Sequence, residues 1–189
     1  MIAKRYIFFL LLVLIGGAVA LGVIAVRSVD SPDRQAPGAS PRPANLKPSQ
    51  TTLAHLYFLD KEGQFLIAEE RILKHPENPA YFARGIVEAL IRGPQKGLIR
   101  TIPPDTGVRA TYVDREGICY VDLTASITDR HPGGIKSELF SVYSIVNSVV
   151  LNVPEVEAVK ILINGDESAT LAGHIDLQVP VKANMLLIR

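Results

Sequence analysis

Hydrophobic and polar positions alternate in three distinct rhythms along this chain, and each rhythm predicts a kind of element. From Tyr6 to Val26 there is no alternation: "YIFFLLLVLIGGAVALGVIAV" runs 21 residues without a charge. Beyond residue 50 the period is two. In "TLAHLYFLD" Leu53, His55, Tyr57 and Leu59 alternate with Ala54, Leu56 and Phe58. With "FLIAEERILK" and a turn at Glu62-Gly63, this reads as a β-hairpin. A second hairpin follows in "VRATYVDREGICYVDLT", turning at Glu116-Gly117.

Between and after the hairpins the period becomes helical. Asn78-Pro79 opens a helix, with Asn as cap and Pro where its missing N–H is harmless. Its stripe is Phe82, Ile86, Ala89 and Leu90. Gly93-Pro94 ends it, with Gly at the left-handed position and Pro barring continuation. A long helix is predicted in "IKSELFSVYSIVNSVVLNV", with Leu139, Val142, Val146, Val149 and Val153 at helical spacing and Pro154 as stop. "VEAVKILING" is a strand ending at an Asn164-Gly165 turn, and the tail adds one short strand. The order is ββαββαβ plus that short strand. The predicted class is α+β: one small mixed or antiparallel sheet with two helices on one face.

Composition divides the chain into three parts. Residues 1–27 read as a transmembrane anchor: 21 apolar residues span about 31 Å as a helix, enough to cross a bilayer core. The rival reading is a cleaved signal peptide with Ala18-Val19-Ala20 as its site, but the apolar run continues past it through Val26. No cysteine lies near this segment, which argues against a lipid anchor. A short basic tail, an apolar run and a long domain form the order that leaves the tail in the cytoplasm and exports the rest. Residues 28–50 carry prolines at 32, 37, 41, 43 and 48 and read as an extended tether. Residues 51–189 have globular composition and the size of one domain.

Charge narrows the function classes. Beyond residue 27 there are 17 basic and 19 acidic residues, a net charge of −2. Nucleic-acid binding needs a basic surface and is not expected. The lone cysteine, Cys119, sits in an apolar strand and reads as a buried thiol. His55, His75, His131 and His174 show no metal-ligand spacing, so solvated or structural roles are expected, with no metal, cofactor or catalytic residue.

One stretch resembles a phosphate loop: "GPQKGLIRTIPP", residues 93–104. A phosphate loop follows a strand, and its lysine follows the last glycine and precedes a hydroxyl residue. Here a helix precedes, Lys96 comes before Gly97, and no hydroxyl follows. The expectation is a brace. Gly93 and Pro94 turn the chain, Leu98 and Ile102 pin the loop, and Pro103 stiffens the exit. Lys96 and Arg100 point to solvent, available to a partner's acidic rim. Asp122 is expected to cap the backbone amides of the turn that follows it.

The motifs "ALIRGP", "GLIRTIP", "VDLTAS", "IVNSV", "VEAVKILING" and "LAGHIDLQVP", in this order and spacing, resemble the GerMN domain, the sporulation and spore-germination domain of bacterial envelope proteins. The resemblance covers residues 53–182. The section from Asn78 to Gly165 also resembles the ring-building modules of multiprotein channels. The resemblance implies an extracytoplasmic, non-catalytic domain, single-copy and membrane-anchored here, that works by association with envelope protein partners or with itself. The alternative is a peptidoglycan binder or an accessory to a wall hydrolase. Exposed aromatics and paired carboxylates would favour it, and the chain has no Trp.

Overall fold

The computed structural model describes residues 50–189. The anchor expected at Tyr6–Val26 lies outside the described residues, as does the tether apart from Gln50. Among the described residues no helix is long and apolar enough to cross a membrane.

The described residues form ten elements: β1 (Thr51–Leu59), β2 (Leu66–Lys74), α1 (Pro79–Arg92), β3 (Val108–Val113), β4 (Ile118–Leu123), α2 (Ser126–Asp129), α3 (Ile135–Val150), β5 (Ala158–Ile163), β6 (Asp166–Glu167) and β7 (Val181–Lys182). A 3-10 turn, Met185–Leu187, follows. This is a mixed α+β fold. Its first correction to the expected layout is that there are two sheets. β1 and β2 pair only with each other, while β3, β4 and β5 form the second sheet, with β6 and β7 on the outer edge of β5. β3 and β4 run antiparallel and β4 and β5 parallel. The parallel pair needs a long crossover, which α2 and α3 supply. The four-residue helix α2 is an addition, and the tail holds two two-residue strands where one was expected.

The physical reason for the split is that the second edge of β1 is already taken. The Asn152 side chain donates to the His55 carbonyl at 2.8 Å and accepts from the His55 amide at 2.8 Å. Ser148 Oγ accepts from the Tyr57 amide at 2.9 Å, and Ser144 Oγ donates to the Tyr57 carbonyl at 2.6 Å. Leu59 and Ile99 then exchange backbone bonds of 3.1 and 2.7 Å. Residues 144, 148 and 152 are spaced by four, so they lie along one face of the helix and its last turn. They satisfy an edge that would otherwise invite another strand.

Local chemistry explains α1. The Asn78 side chain accepts from the Ala80 amide at 2.9 Å, Pro79 opens the helix, and Phe82, Ala83, Ile86, Val87, Ala89 and Leu90 are buried. The α3 stripe is broader than the apolar residues alone predict. Val142, Val146 and Val149 are buried as expected, but Leu139 is half-buried, and the helix ends at Val150, before the buried Val153. Its polar residues Glu138, Ser141, Ser144, Asn147 and Ser148 are buried too. Each long helix touches both sheets. The main core has Leu56, Phe58, Ile86, Leu90, Ile102, Leu123, Ile127, Ile145 and Ile161 at its centre, and Tyr57, Leu66 and Phe140 form a smaller cluster. Each such side chain contributes about 1.5–3 kcal/mol by leaving water. Cys119 lies in the main core, and burial pushes its thiol up to about 12.

Candidate functional site

The loop after α1 does receive an anion, and the anion belongs to the chain itself. Glu69, on the inward face of β2, is 1% exposed. Its carboxylate accepts the Gln95 amide at 2.9 Å, the Lys96 amide at 2.8 Å and Arg71 Nε at 2.6 Å. Arg71 Nη2 in turn donates to the Gly93 carbonyl at 2.9 Å. Burial alone would raise the Glu69 pKa; the hydrogen bonds from Arg71, Gln95 and Lys96 outweigh it and hold the group below the usual carboxylate range. Successive amides that resemble a phosphate cradle are therefore occupied by a side chain 26 residues upstream.

Around this anion the braced residues take their places. Gly93 has φ 89 and ψ 175, a conformation open to glycine alone, and its amide donates to the Leu90 carbonyl. Positive φ was expected; the extended ψ takes the residue out of the left-handed helical well. Pro94 and Leu98 are half-buried, Ile102 and Pro103 buried, and Lys96 exposed. Arg100 corrects the sequence reading. Its guanidinium does not stand free: it donates to the Ile91 carbonyl and, at 2.9 Å, to the Arg92 carbonyl. It caps the C-terminus of α1, where a cation also meets the negative end of the helix dipole.

A second buried carboxylate, Glu138 in the first turn of α3, organises the tail in the same way. It is 0% exposed and accepts the amides of Leu171, Ala172, His174 and Ile175 at 2.8–3.1 Å, with His174 Nδ1 at 3.0 Å. Burial would raise its pKa, and these bonds lower it. Nothing in the periodicity singled out Glu69 or Glu138. Their one sequence signal is a carboxylate standing on the inward register of an apolar strand or helix.

Asp122 caps amides across the sheet, and not in its own turn. Oδ1 accepts the Gly165 amide at 2.8 Å, and Oδ2 pairs with Arg109 Nε at 3.1 Å. The turn after Asp122 is served by Asn164, whose Oδ1 accepts the Ala125 amide at 3.1 Å. Asn164 itself has φ 56, and Gly165 has φ 91.

The histidines are bound into the structure. His75 packs on Phe82 with ring centroids 4.5 Å apart. His131 Nδ1 accepts the Gly133 amide at 3.0 Å, so Nε2 carries the proton toward Ser141 Oγ at 2.9 Å. Burial lowers the His131 pKa against a raising contribution from Glu138. His174 serves Glu138, and His55 lies 3.9 Å from Glu70. Among the described residues no group of three or more His, Cys, Asp or Glu side chains is placed to hold a metal ion.

The sites expected from the sequence thus fall into two places. Gly93, Pro94, Lys96, Leu98, Arg100 and Pro103 share the loop that Glu69 anchors, while Asp122 lies apart at the β4–β5 end. Ile72 is 76% exposed and Tyr81 66%, on either side of a groove between β2 and α1.

Comparison with solved structures finds the same fold in several bacterial proteins. The first GerMN domain of the sporulation protein GerM from Bacillus subtilis aligns with a TM-score of 0.55 at 19% identity, over 70% of this chain and 98% of that one. The tandem GerMN domains of the same protein align at 0.56 and 20% identity, over 69% of this chain and 46% of theirs, so this chain spans about half of the tandem pair. A candidate lipoprotein from Clostridium perfringens aligns at 0.50 and 19% identity, over 70% of this chain and 87% of that one. Comparison with curated proteins finds no match. The sequence profile described as "Sporulation and spore germination" matches residues 55–169, more than half of the chain and inside the 53–182 span of the motif resemblance, so the chain belongs to the Germane family of sporulation and spore germination domains.

Proposed function

We propose that this chain is a non-catalytic association module of the bacterial cell envelope, anchored by residues 1–27 in the cytoplasmic membrane with its domain on the extracytoplasmic side. The observation that carries the reading is the use made of buried charge. Among the described residues Glu69 and Glu138 are the carboxylates best shielded from water, the setting in which acid–base groups are tuned. Both are turned to the backbone of their own chain, and their pKa values are moved down, away from neutrality. The charge serves loop geometry, and the exposed apolar positions serve contact. Family membership supports this reading, as do relatives named a sporulation protein and a candidate lipoprotein.

Crosslinking the full-length chain in intact membranes, followed by mass spectrometry of the adducts, tests it. Specific protein adducts are expected. Hydrolysis of purified peptidoglycan by the full-length chain, or adducts to glycan strands alone, would overturn it. A phosphatase fused after Arg189 checks the orientation and is expected to be active only outside the cytoplasm.

A further inference from the structure

An open backbone edge of this fold lies on β2. The hydrogen-bond parity of the hairpin is fixed by β1, whose residues His55, Tyr57 and Leu59 direct N–H and C=O away from β2, toward α3 and Ile99. Their neighbours Ala54, Leu56 and Phe58 therefore bond β2 at Arg71, Glu69 and Ile67. By alternation Leu66, Ala68, Glu70, Ile72 and Lys74 turn their N–H and C=O outward. The Leu66 carbonyl is taken by the Arg189 amide at 3.1 Å. No described residue hydrogen-bonds the backbone of the other four along this edge.

This edge carries charged side chains, Glu70 and Lys74 at its open positions and Glu69 and Arg71 facing inward, but lacks the other usual protections. It is nine residues long, without a proline or a bulge. Ile72 stands on its solvent face at 76% exposure, opposite Leu53 at 52%. A groove of about 550 Å³ runs between this edge and α1, so the helix does not cover it. A two-stranded sheet is also short of partners.

We propose that the β2 edge pairs with the β2 edge of a second copy of this chain, antiparallel, about a two-fold axis at Ile72. The proposal rests on the association reading above and names the partner. The segment Glu70-Arg71-Ile72-Leu73-Lys74 is self-complementary in that register alone. Ile72 faces the partner's Ile72, Glu70 faces the partner's Lys74, and Lys74 faces the partner's Glu70. Registers centred on Glu70, Arg71 or Lys74 each set like charges opposite each other at the axis. A shift by one residue would turn inward-facing Glu69 and Arg71 toward the wrong side. The product is a four-stranded sheet with an isologous interface.

Cysteine crosslinking of the full-length chain in nanodiscs decides it. Hydrogen-bonded antiparallel partners lie about 5.5 Å apart at Cα, inside the disulfide range, and native Cys119 is buried and silent. Ile72→Cys is expected to form disulfide dimers under mild oxidation roughly tenfold faster than Ile135→Cys, although Ile135 is 64% exposed. Lys74→Glu should lower the dimer fraction of otherwise unaltered chain roughly threefold or more. The swap Glu70→Lys with Lys74→Glu should restore it. Equal crosslinking at 72 and 135, or a dimer fraction indifferent to Lys74→Glu, overturns the proposal. If membranes still yield adducts to other envelope proteins, the association reading survives that failure; with no adducts of any kind, both fall.

Discussion

Glu69 accepts the amide of Lys96 at 2.8 Å, so the lysine that makes the loop resemble a phosphate cradle instead marks where a buried anion of the same chain is held. Removing that anion leaves the Gln95 and Lys96 amides and the Arg71 guanidinium without their partner in a site closed to water. Glu69→Ala is expected to lower stability by about 2–5 kcal/mol, the range for breaking a buried charged network. Thermal unfolding measured by calorimetry checks it. Wild-type protein should show no saturable phosphate binding, because the amides are already occupied. A loss under about 1 kcal/mol, or micromolar phosphate binding by the wild type, would show that Glu69 is not the anchor.

Acid should undo both carboxylate anchors together. The Glu69 and Glu138 carboxyls sit below their ordinary range because backbone amides and Arg71 or His174 outweigh their burial. A carboxyl with a depressed folded pKa contributes stability that is fully present above its unfolded value of about 4.3, and loses it as pH falls through the folded value. Unfolding temperature should thus be little affected by these two groups near neutrality and should fall steeply below about pH 4. Glu138→Gln is expected to lower stability at pH 7 and to flatten the acid slope, since the amide does not titrate. An unchanged slope in that variant would remove Glu138 from the account.

Much of the frame was legible in the pattern of the chain, and the site was legible only in part. Both hairpins, both long helices and the stop of α1 are local features, set by period, turn residues and caps, and they lie where the sequence puts them, while α3 ends at Val150, short of the stop expected at Pro154. The separation into two sheets was not legible. It depends on Ser144, Ser148 and Asn152 reaching β1 from about 90 residues away. The role of Asp122 failed in the same way: its carboxylate serves Gly165 across the parallel pair β4–β5, and parallel pairing is not written in either strand alone. Arg100 was misread because surface arginines and helix-capping arginines look alike until the helix end is placed beside them.

The end of α1 should behave as one coupled unit. A Cβ on Gly93 would lie 2.8 Å from the Arg100 guanidinium carbon, on a backbone with φ 89. Gly93→Ala is therefore expected to destabilise by about 1–3 kcal/mol through strain and displacement of the cap, and Gly93→Val by more. Arg100→Ala should cost about 0.5–2 kcal/mol as carbonyl partners and dipole compensation are lost. The two losses should be less than additive, because the steric part of the Gly93→Ala penalty vanishes once the guanidinium is gone. Denaturant unfolding of the two single variants and the double variant measures this, and strict additivity would mean that the close approach carries no energy.

The clamp of Asn152 on His55 offers the most local test of the packing of helix against hairpin. One amide side chain satisfies both backbone groups of His55, at 2.8 Å each, and also donates to the Ser148 carbonyl at 2.7 Å. In Asn152→Ala the His55 N–H and C=O face either water or nothing, and stability should fall by about 1–3 kcal/mol. Ser148→Ala should free the Tyr57 amide in the same way, within the buried part of the strand. The distinguishing readout is amide hydrogen exchange. Protection of His55 should drop selectively in Asn152→Ala, and that of Tyr57 in Ser148→Ala, while Ala54, Leu56 and Phe58, which face β2, keep theirs apart from the global loss. Uniform loss across all five positions would mean that β1 is held by the core alone and that the 144–148–152 row merely lies beside it.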